Sequence, residues 1–238
     1  MDLKETDILG EHIADHWYYR SKRAAVQQFL GDIRPSSILD VGAGSGFFSR
    51  ALLAEGSAGE AWCVDISYSA DSDASEAGKP IRFRRSVDRL DSDLVLLMDV
   101  LEHVDDDVGL LRHYVEKVPH GAHFLISVPA FQFLWSDHDV FLEHKRRYRL
   151  TDIERVAEQA GLEVLKGAYY FGGVFPIAAT LRLFERLRGD ALRQPRSQLK
   201  RHNGVVNAAL QALSMVELPV LRFNRVAGLT AFCLARRP

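Results

Sequence analysis

Residues 36 to 50 read Ser36-Ser-Ile-Leu-Asp-Val-Gly-Ala-Gly-Ser-Gly-Phe-Phe-Ser-Arg50. Ile38, Leu39 and Val41 form the apolar run of a short buried strand, and Phe47 opens a helix. Between them stand Gly42, Gly44 and Gly46. A chain that leaves a strand for a helix so abruptly needs residues that tolerate positive φ and carry no Cβ. Bare backbone also lets a ligand lie close, and the amides at the helix start favour an anionic or polar group. Spacing narrows the ligand. A dinucleotide turn is spaced G-x-G-x-x-G, whereas here the third glycine falls one residue early, at Gly46, and Phe47 takes its place. Asp40 at the strand end would repel a pyrophosphate and suits a cationic or amine-bearing ligand.

Outward from that turn the pattern repeats as strand and helix. Phe47 to Glu55 reads as a helix stopped at Gly56. Ala61 to Asp65 reads as a second strand ending in a carboxylate about twenty residues past the glycines, where an acid can accept both ribose hydroxyls. Ser67 to Pro80 reads as a loop with at most a short helix, and Ile81 to Arg85 as the third strand. Asp93 to His103, Asp-Leu-Val-Leu-Leu-Met-Asp-Val-Leu-Glu-His, is the second anchor. Its unbroken apolar run suits the fully buried middle of a parallel sheet, and it ends in acids at the edge where open α/β sheets bind ligands. Asp105 to Val118 is an amphipathic helix, Ala122 to Val128 a fifth strand, Thr151 the cap of a helix to Ala160, and Leu162 to Tyr170 a sixth strand.

Ile38 to Gly46 resembles motif I, D-x-G-x-G-x-G, of class I S-adenosylmethionine (SAM)-dependent methyltransferases. Asp93 to His103 resembles motif IV in the form found in small-molecule methyltransferases, loosely similar to the ubiquinone-pathway O-methyltransferases. The resemblance implies a Rossmann-like α/β fold, a seven-stranded, mostly parallel sheet with an antiparallel last strand and helices on both faces. It implies SAM as cofactor and S-adenosylhomocysteine as product. On this reading Asp40, Gly42, Ala43, Gly44, Gly46, Asp65, Ile66, Val87, Met98 and Asp99 hold the cofactor. An arginine upstream of motif I, Arg20 or Arg23, holds the methionine carboxylate. In some relatives a cluster like Glu102 and His103 plus a later histidine, His138 or His144, holds a divalent cation. Asp99 stands here for the first glutamate of that cluster, and the metal-free arrangement is favoured.

The connection from Pro129 to Tyr148 is long, and long connections in compact domains tend to be functional. It concentrates Trp135, His138, His144 and Tyr148, the expected substrate contacts. His138, His144 and Asp99 are the expected catalytic groups, since a histidine near an acceptor hydroxyl can take its proton. An oxygen acceptor on a small molecule or a glycan or lipid-linked compound is therefore favoured. The alternative is a SAM-binding module without catalysis. A nicotinamide-dependent dehydrogenase disagrees with the glycine spacing and with Asp40.

A family member would hairpin directly from its sixth strand into the last, here Leu229 to Ala235. Instead a helical insert of about residues 173–224 intervenes, with two apolar-striped stretches, Val174 to Arg188 and Val205 to Leu218. Packed together they roof the site or make a homodimer face; laid on lipid they offer a peripheral membrane contact beside Arg182, Arg186, Arg188, Arg193, Arg196, Lys200 and Arg201. Residues 1–35 read as a helical cap over the cofactor and 36–238 as the SAM-binding domain. The chain of 238 residues is 47% hydrophobic with net charge −2, enough apolar sequence for a sizeable core. Two cysteines in apolar runs, no uninterrupted apolar span of about 18 residues and a polar, acidic start point to the cytoplasm. No basic stripe interleaved with aromatics marks a nucleic-acid groove.

Overall fold

The computed structural model describes residues 10–188 and 203–238. Its strands are β1 Ser37–Val41, β2 Glu60–Val64, β3 Ser72–Glu76, β4 Lys79–Arg84, β5 Leu94–Met98, β6 His123–Pro129, β7 Glu163–Tyr170 and β8 Thr230–Arg236. They form one sheet in the order β3-β4-β2-β1-β5-β6-β8-β7. Strands β4, β2, β1, β5 and β6 are parallel, while β8 runs antiparallel to both of its neighbours. The helices are α1 Trp17–Leu30, α2 Phe47–Ala54, α3 Asp107–Val115, α4 Asp137–Phe141, α5 Leu150–Gln159, α6 Phe175–Arg188 and α7 Gly204–Val216.

Period-two alternation divides the core between the two faces of the sheet. Ile38, Leu96 and Phe232 meet Phe29 of α1 and Phe48 and Leu53 of α2 on one face. Leu39, Val95 and Ile126 meet Leu111 of α3 and Ile153 and Ala157 of α5 on the other. Both faces are covered, so β1 and β5 are buried at every position. The chain leaves β1 for β2 on one side and later returns to β5 on the other. That reversal opens a crevice beyond the carboxyl ends of β1 and β5.

The sheet has eight strands where the sequence predicts seven. Ser72–Glu76 is an edge strand hairpinned to β4 through Ala77 and Gly78, with φ of 50° and 78°. Two positive-φ residues in a two-residue turn match the twist of a hairpin. Four of the five β3 residues are exposed, so no apolar alternation betrays it. Arg84, donating to Ser72 O and Asp73, and Arg50, paired with Glu76 at 2.9 Å, hold it in place. The cap read at Thr151 also shifts: Thr151 lies inside α5, and Asp152 accepts from the Arg149 amide instead. Of the insert, α6 and α7 are described; Arg193, Arg196, Lys200 and Arg201, and the side chains of Arg186 and Arg188, lie outside the described residues. Among the described residues no helix is long and apolar enough to cross a membrane.

Candidate active site

The glycine turn has the geometry its sequence demands. Gly42, Gly44 and Gly46 have φ of 63°, 54° and 72°. A Cβ on Gly42 would lie 2.7 Å from Cγ2 of Val100, and one on Gly46 would lie 3.2 Å from both Cys63 Sγ and Phe83 Cε1. Asp65, at the end of β2, accepts from the amides of Gly44 at 3.1 Å and Ser67 at 2.9 Å. Its carboxylate therefore stands at the lip of the turn. Beside it Ile66 is 83% exposed, an apolar side chain at a binding edge. Tyr68 donates to Gly44 O at 2.6 Å and braces the turn; a single tyrosine in a polar stretch gives no sequence signal for this. Val87 is half-buried against the second core, and Ala43 and Met98 are buried.

The structure places Asp40, Arg23 and Arg20, three of the expected cofactor contacts, in three different settings. Asp40 is buried and accepts from Ser49 Oγ at 2.7 Å. Burial pushes its carboxyl up to about 6. Arg23 pairs with Glu55 at 2.6 Å, beyond the end of the eight-residue α2, about 12 Å along the helix from the turn. Arg20 is exposed on α1. Lys22 of the same helix is wholly buried and paired with Asp99, with Tyr18 Oη at 3.3 Å from its Nζ. Lys22 falls four residues after Tyr18 and three before Ala25, on the apolar stripe of α1, and that position is the signal sequence reasoning passed over.

Asp99 caps β5 with φ of 57°, a left-handed conformation that costs a non-glycine residue about 1–2 kcal/mol. The bend turns its carboxylate back over the sheet edge, where Ser127 Oγ donates at 3.2 Å. Burial alone would raise its pKa, but the Lys22 ammonium overrides that and holds the carboxyl below its ordinary value. One turn on, Glu102 is fully buried, and neither carboxylate oxygen has a hydrogen-bond partner. Burial, with Asp99 nearby, pushes its carboxyl up to about 8.

The connection after β6 is pinned at both ends by backbone bonds between Pro129, Phe131 and Tyr148. Inside it Asp139 is completely buried and organises its neighbours. It accepts from Ser136 N at 2.8 Å, from Arg147 Nε at 2.7 Å and Nη2 at 3.0 Å, and pairs with His144 Nδ1 at 2.9 Å. Burial opposes ionisation of Asp139, yet His144 and Arg147 hold it well below the carboxylate range. Burial likewise opposes protonation of His144, but the hydrogen bond to Asp139 and the charge of Glu102 leave its pKa raised. For His138 burial outweighs the attraction of Asp139 and drives it down to about 4. The His103 and His144 rings meet edge to face at 4.8 Å.

These groups converge on a cavity of about 240 Å³. Trp17 and Tyr18 come from α1, Asp99, Glu102 and His103 from the segment after β5, and Leu134, His138, Leu142, His144 and Arg147 from the long connection. Ala178 and Arg182 of α6 close one side. Two expected substrate contacts do not line it. Trp135 is half-buried elsewhere. Tyr148 is buried in the second core with its hydroxyl 2.8 Å from Asp107 Oδ2 and 3.1 Å from Leu101 O, so it fastens the connection to α3. Ligand atoms of Glu102, His103 and His144 lie within 4.8 Å of one another. One carboxylate and two imidazoles suit a divalent transition metal, and the unpartnered oxygens of Glu102 fit that role.

A buried parallel sheet, a D-x-G-x-G-x-G turn at its switch point and an acid-capped β5 define a class I SAM-dependent methyltransferase. A family model described as a methyltransferase domain matches residues 14–166, and the chain belongs to that family. Its methyl donor is SAM. No curated protein matches the chain. Among solved structures, an Archaeoglobus fulgidus SAM-dependent methyltransferase is 16% identical, with 98% of each chain covered and a TM-score of 0.56. The Haemonchus contortus phosphoethanolamine N-methyltransferase 2, in complex with phosphomonomethylethanolamine and S-adenosylhomocysteine, is 17% identical with a TM-score of 0.55. That match covers 98% of this chain and 56% of the other.

Proposed function

We propose that this enzyme transfers a methyl group to an oxygen of a small or lipid-linked acceptor seated in the cavity, with His144 as general base. The observation that carries this reading is the His144–Asp139 pair beside the cavity. Asp139 accepts the Nδ1 proton and so leaves Nε2 as the basic nitrogen, the division of labour in which a carboxylate fixes a histidine tautomer. His138, kept neutral by burial, contributes a hydrogen bond to the acceptor without adding charge beside it.

SAM supplies a methyl group activated by a sulfonium. The bare turn Gly42 to Gly46 would accommodate it against the backbone, Asp65 would accept its ribose hydroxyls, and Ile66 and Val87 would flank its base. Asp99, kept ionised by Lys22, would offer a negative charge to the sulfonium, and Met98 would support the cofactor beside it. Trp17 and Tyr18 cover the cavity and keep water out. His144 would hold the acceptor hydroxyl through Nε2 and take its proton. Positioning of this kind supplies roughly 7–11 kcal/mol of barrier reduction, and a placed base roughly 10²–10⁴-fold in rate.

The base acts when neutral. Its raised pKa therefore predicts a rate that climbs with pH through a midpoint above the ordinary histidine value of 6.5. The test is transfer of isotopic methyl to an extract of cellular metabolites, followed by identification of the product. His144→Ala should lower the rate roughly 10²–10⁴-fold and leave SAM affinity intact. Product methylated at nitrogen or carbon refutes the oxygen reading, and an unchanged rate in the variant refutes His144 as the base. The partnerless carboxylate of Glu102 favours a second reading, in which Glu102, His103 and His144 hold a divalent cation that lowers the pKa of the hydroxyl. Loss of activity on chelation, restored by added metal, would select it.

A further inference from the structure

The insert lines the cavity through Ala178 and Arg182 of α6 and leaves apolar side chains to solvent. On α6, Ile177, Leu181 and Phe184 recur at helical spacing and are each more than half exposed. Helix α7, Gly-Val-Val-Asn-Ala-Ala-Leu-Gln-Ala-Leu-Ser-Met-Val, contains no charged residue and buries only Ser214. Its Val205 and Val216 are 80% and 78% exposed, and Phe223, in the turn Leu218–Phe223 that follows, is 68% exposed. Exposed apolar side chains gathered on neighbouring segments of one insert mark an interaction site.

Charge selects the occupant. Residues 173–224 carry eight Lys and Arg against three Asp and Glu, whereas the whole chain has net charge −2. An apolar helical face in a segment of cationic composition complements an anionic lipid surface: the apolar side chains enter the acyl boundary and Arg222, the described cation beside the face, meets the headgroups. Arg186, Arg188, Arg193, Arg196, Lys200 and Arg201 contribute by composition alone. Arg222, stacked on Phe223 at 4.6 Å, sits at the rim of the face with a stem that can lie along lipid. A second copy on the same face would set two segments of like charge against each other, which is unfavourable. The same helix α6 that exposes Ile177, Leu181 and Phe184 carries Ala178 and Arg182 into the cavity wall.

We propose that the outer faces of α6, α7 and the 218–223 turn dock on an anionic lipid bilayer and bring the cavity to its surface. The consequence, that the acceptor is presented from the membrane, rests on the reading of the cavity as the acceptor site. The docking itself does not.

The experiment is flotation of the full chain with vesicles of phosphatidylcholine, alone or mixed with phosphatidylglycerol, alongside calorimetric SAM binding. The chain should float with the mixed vesicles, and added salt should weaken this. Val216→Asp and Phe223→Asp, at exposed positions, should each lower partitioning at least about tenfold with SAM affinity unchanged. No flotation, equal flotation with both vesicle types, or variants that float like the parent chain would overturn the proposal. So would a dimer in light scattering that Val216→Asp splits while vesicles go unbound, which would make a second copy the occupant. Flotation needs no turnover, so the two readings fail separately. An O-methylated soluble product without flotation removes the docking, and flotation with an N-methylated product removes the oxygen acceptor.

Discussion

Replacing Lys22 by methionine keeps the packed stem and deletes the ammonium that holds Asp99. Breaking a buried ion pair by removing one partner costs about 3–5 kcal/mol, chiefly because the remaining charge is stranded. The two partners are not equivalent. Lys22 is wholly buried, whereas the Asp99 side chain is 25% exposed and keeps Ser127 at 3.2 Å. Lys22→Met strands the better-solvated partner and should sit near the lower bound, about 3 kcal/mol. Asp99→Asn strands a buried ammonium beside Tyr18 alone and should approach about 5 kcal/mol. For a chain of this size each kcal/mol moves Tm by about 2–4 °C, so Lys22→Met should melt roughly 6–12 °C lower. The double variant leaves two neutral groups and should be more stable than Asp99→Asn alone. Thermal and urea melts of all four proteins close the cycle. Additive losses, with the double variant least stable of all, would show that the pair does not form and refute the reasoning.

Gly42→Ala forces a Cβ to 2.7 Å from Val100 at a φ of 63°. It should abolish SAM binding in calorimetry and destabilise the chain by at least about 1–2 kcal/mol. Asp65→Ala removes the carboxylate at the lip of the turn and should weaken SAM binding by roughly 1.5–3 kcal/mol; unchanged affinity would place the ribose elsewhere. Tyr148→Phe leaves Asp107 and Leu101 O without the hydroxyl and should cost about 1–3 kcal/mol in urea melts. Its KM for the acceptor should not change, since Tyr148 does not line the cavity.

The sequence by itself determined what is local. Gly42, Gly44 and Gly46 announce a turn because their backbone conformations are ones that side chains resist, and that constraint needs no distant partner. The runs at Ile38 to Val41 and Leu94 to Met98 announce buried strands, because burial on both faces requires apolar residues at every step. Asp65 and Asp99 follow as the residues at which such strands end. Only the tertiary structure decided which side chain meets which. Successive residues on a helix are turned by about 100°, so among Arg20, Lys22 and Arg23 helix rotation sends one to solvent, one to Asp99 and one to Glu55. The same holds for Tyr148, grouped by sequence with the site residues but folded beneath them onto Asp107, and for Asp40, taken up by Ser49. The strand Ser72–Glu76 has no apolar pattern because its partner supplies only backbone hydrogen bonds and arginines. Glu102 shows the limit most plainly: its burial, the loss of its hydrogen-bond partners and its nearness to His144 arise from contacts across 42 residues of chain.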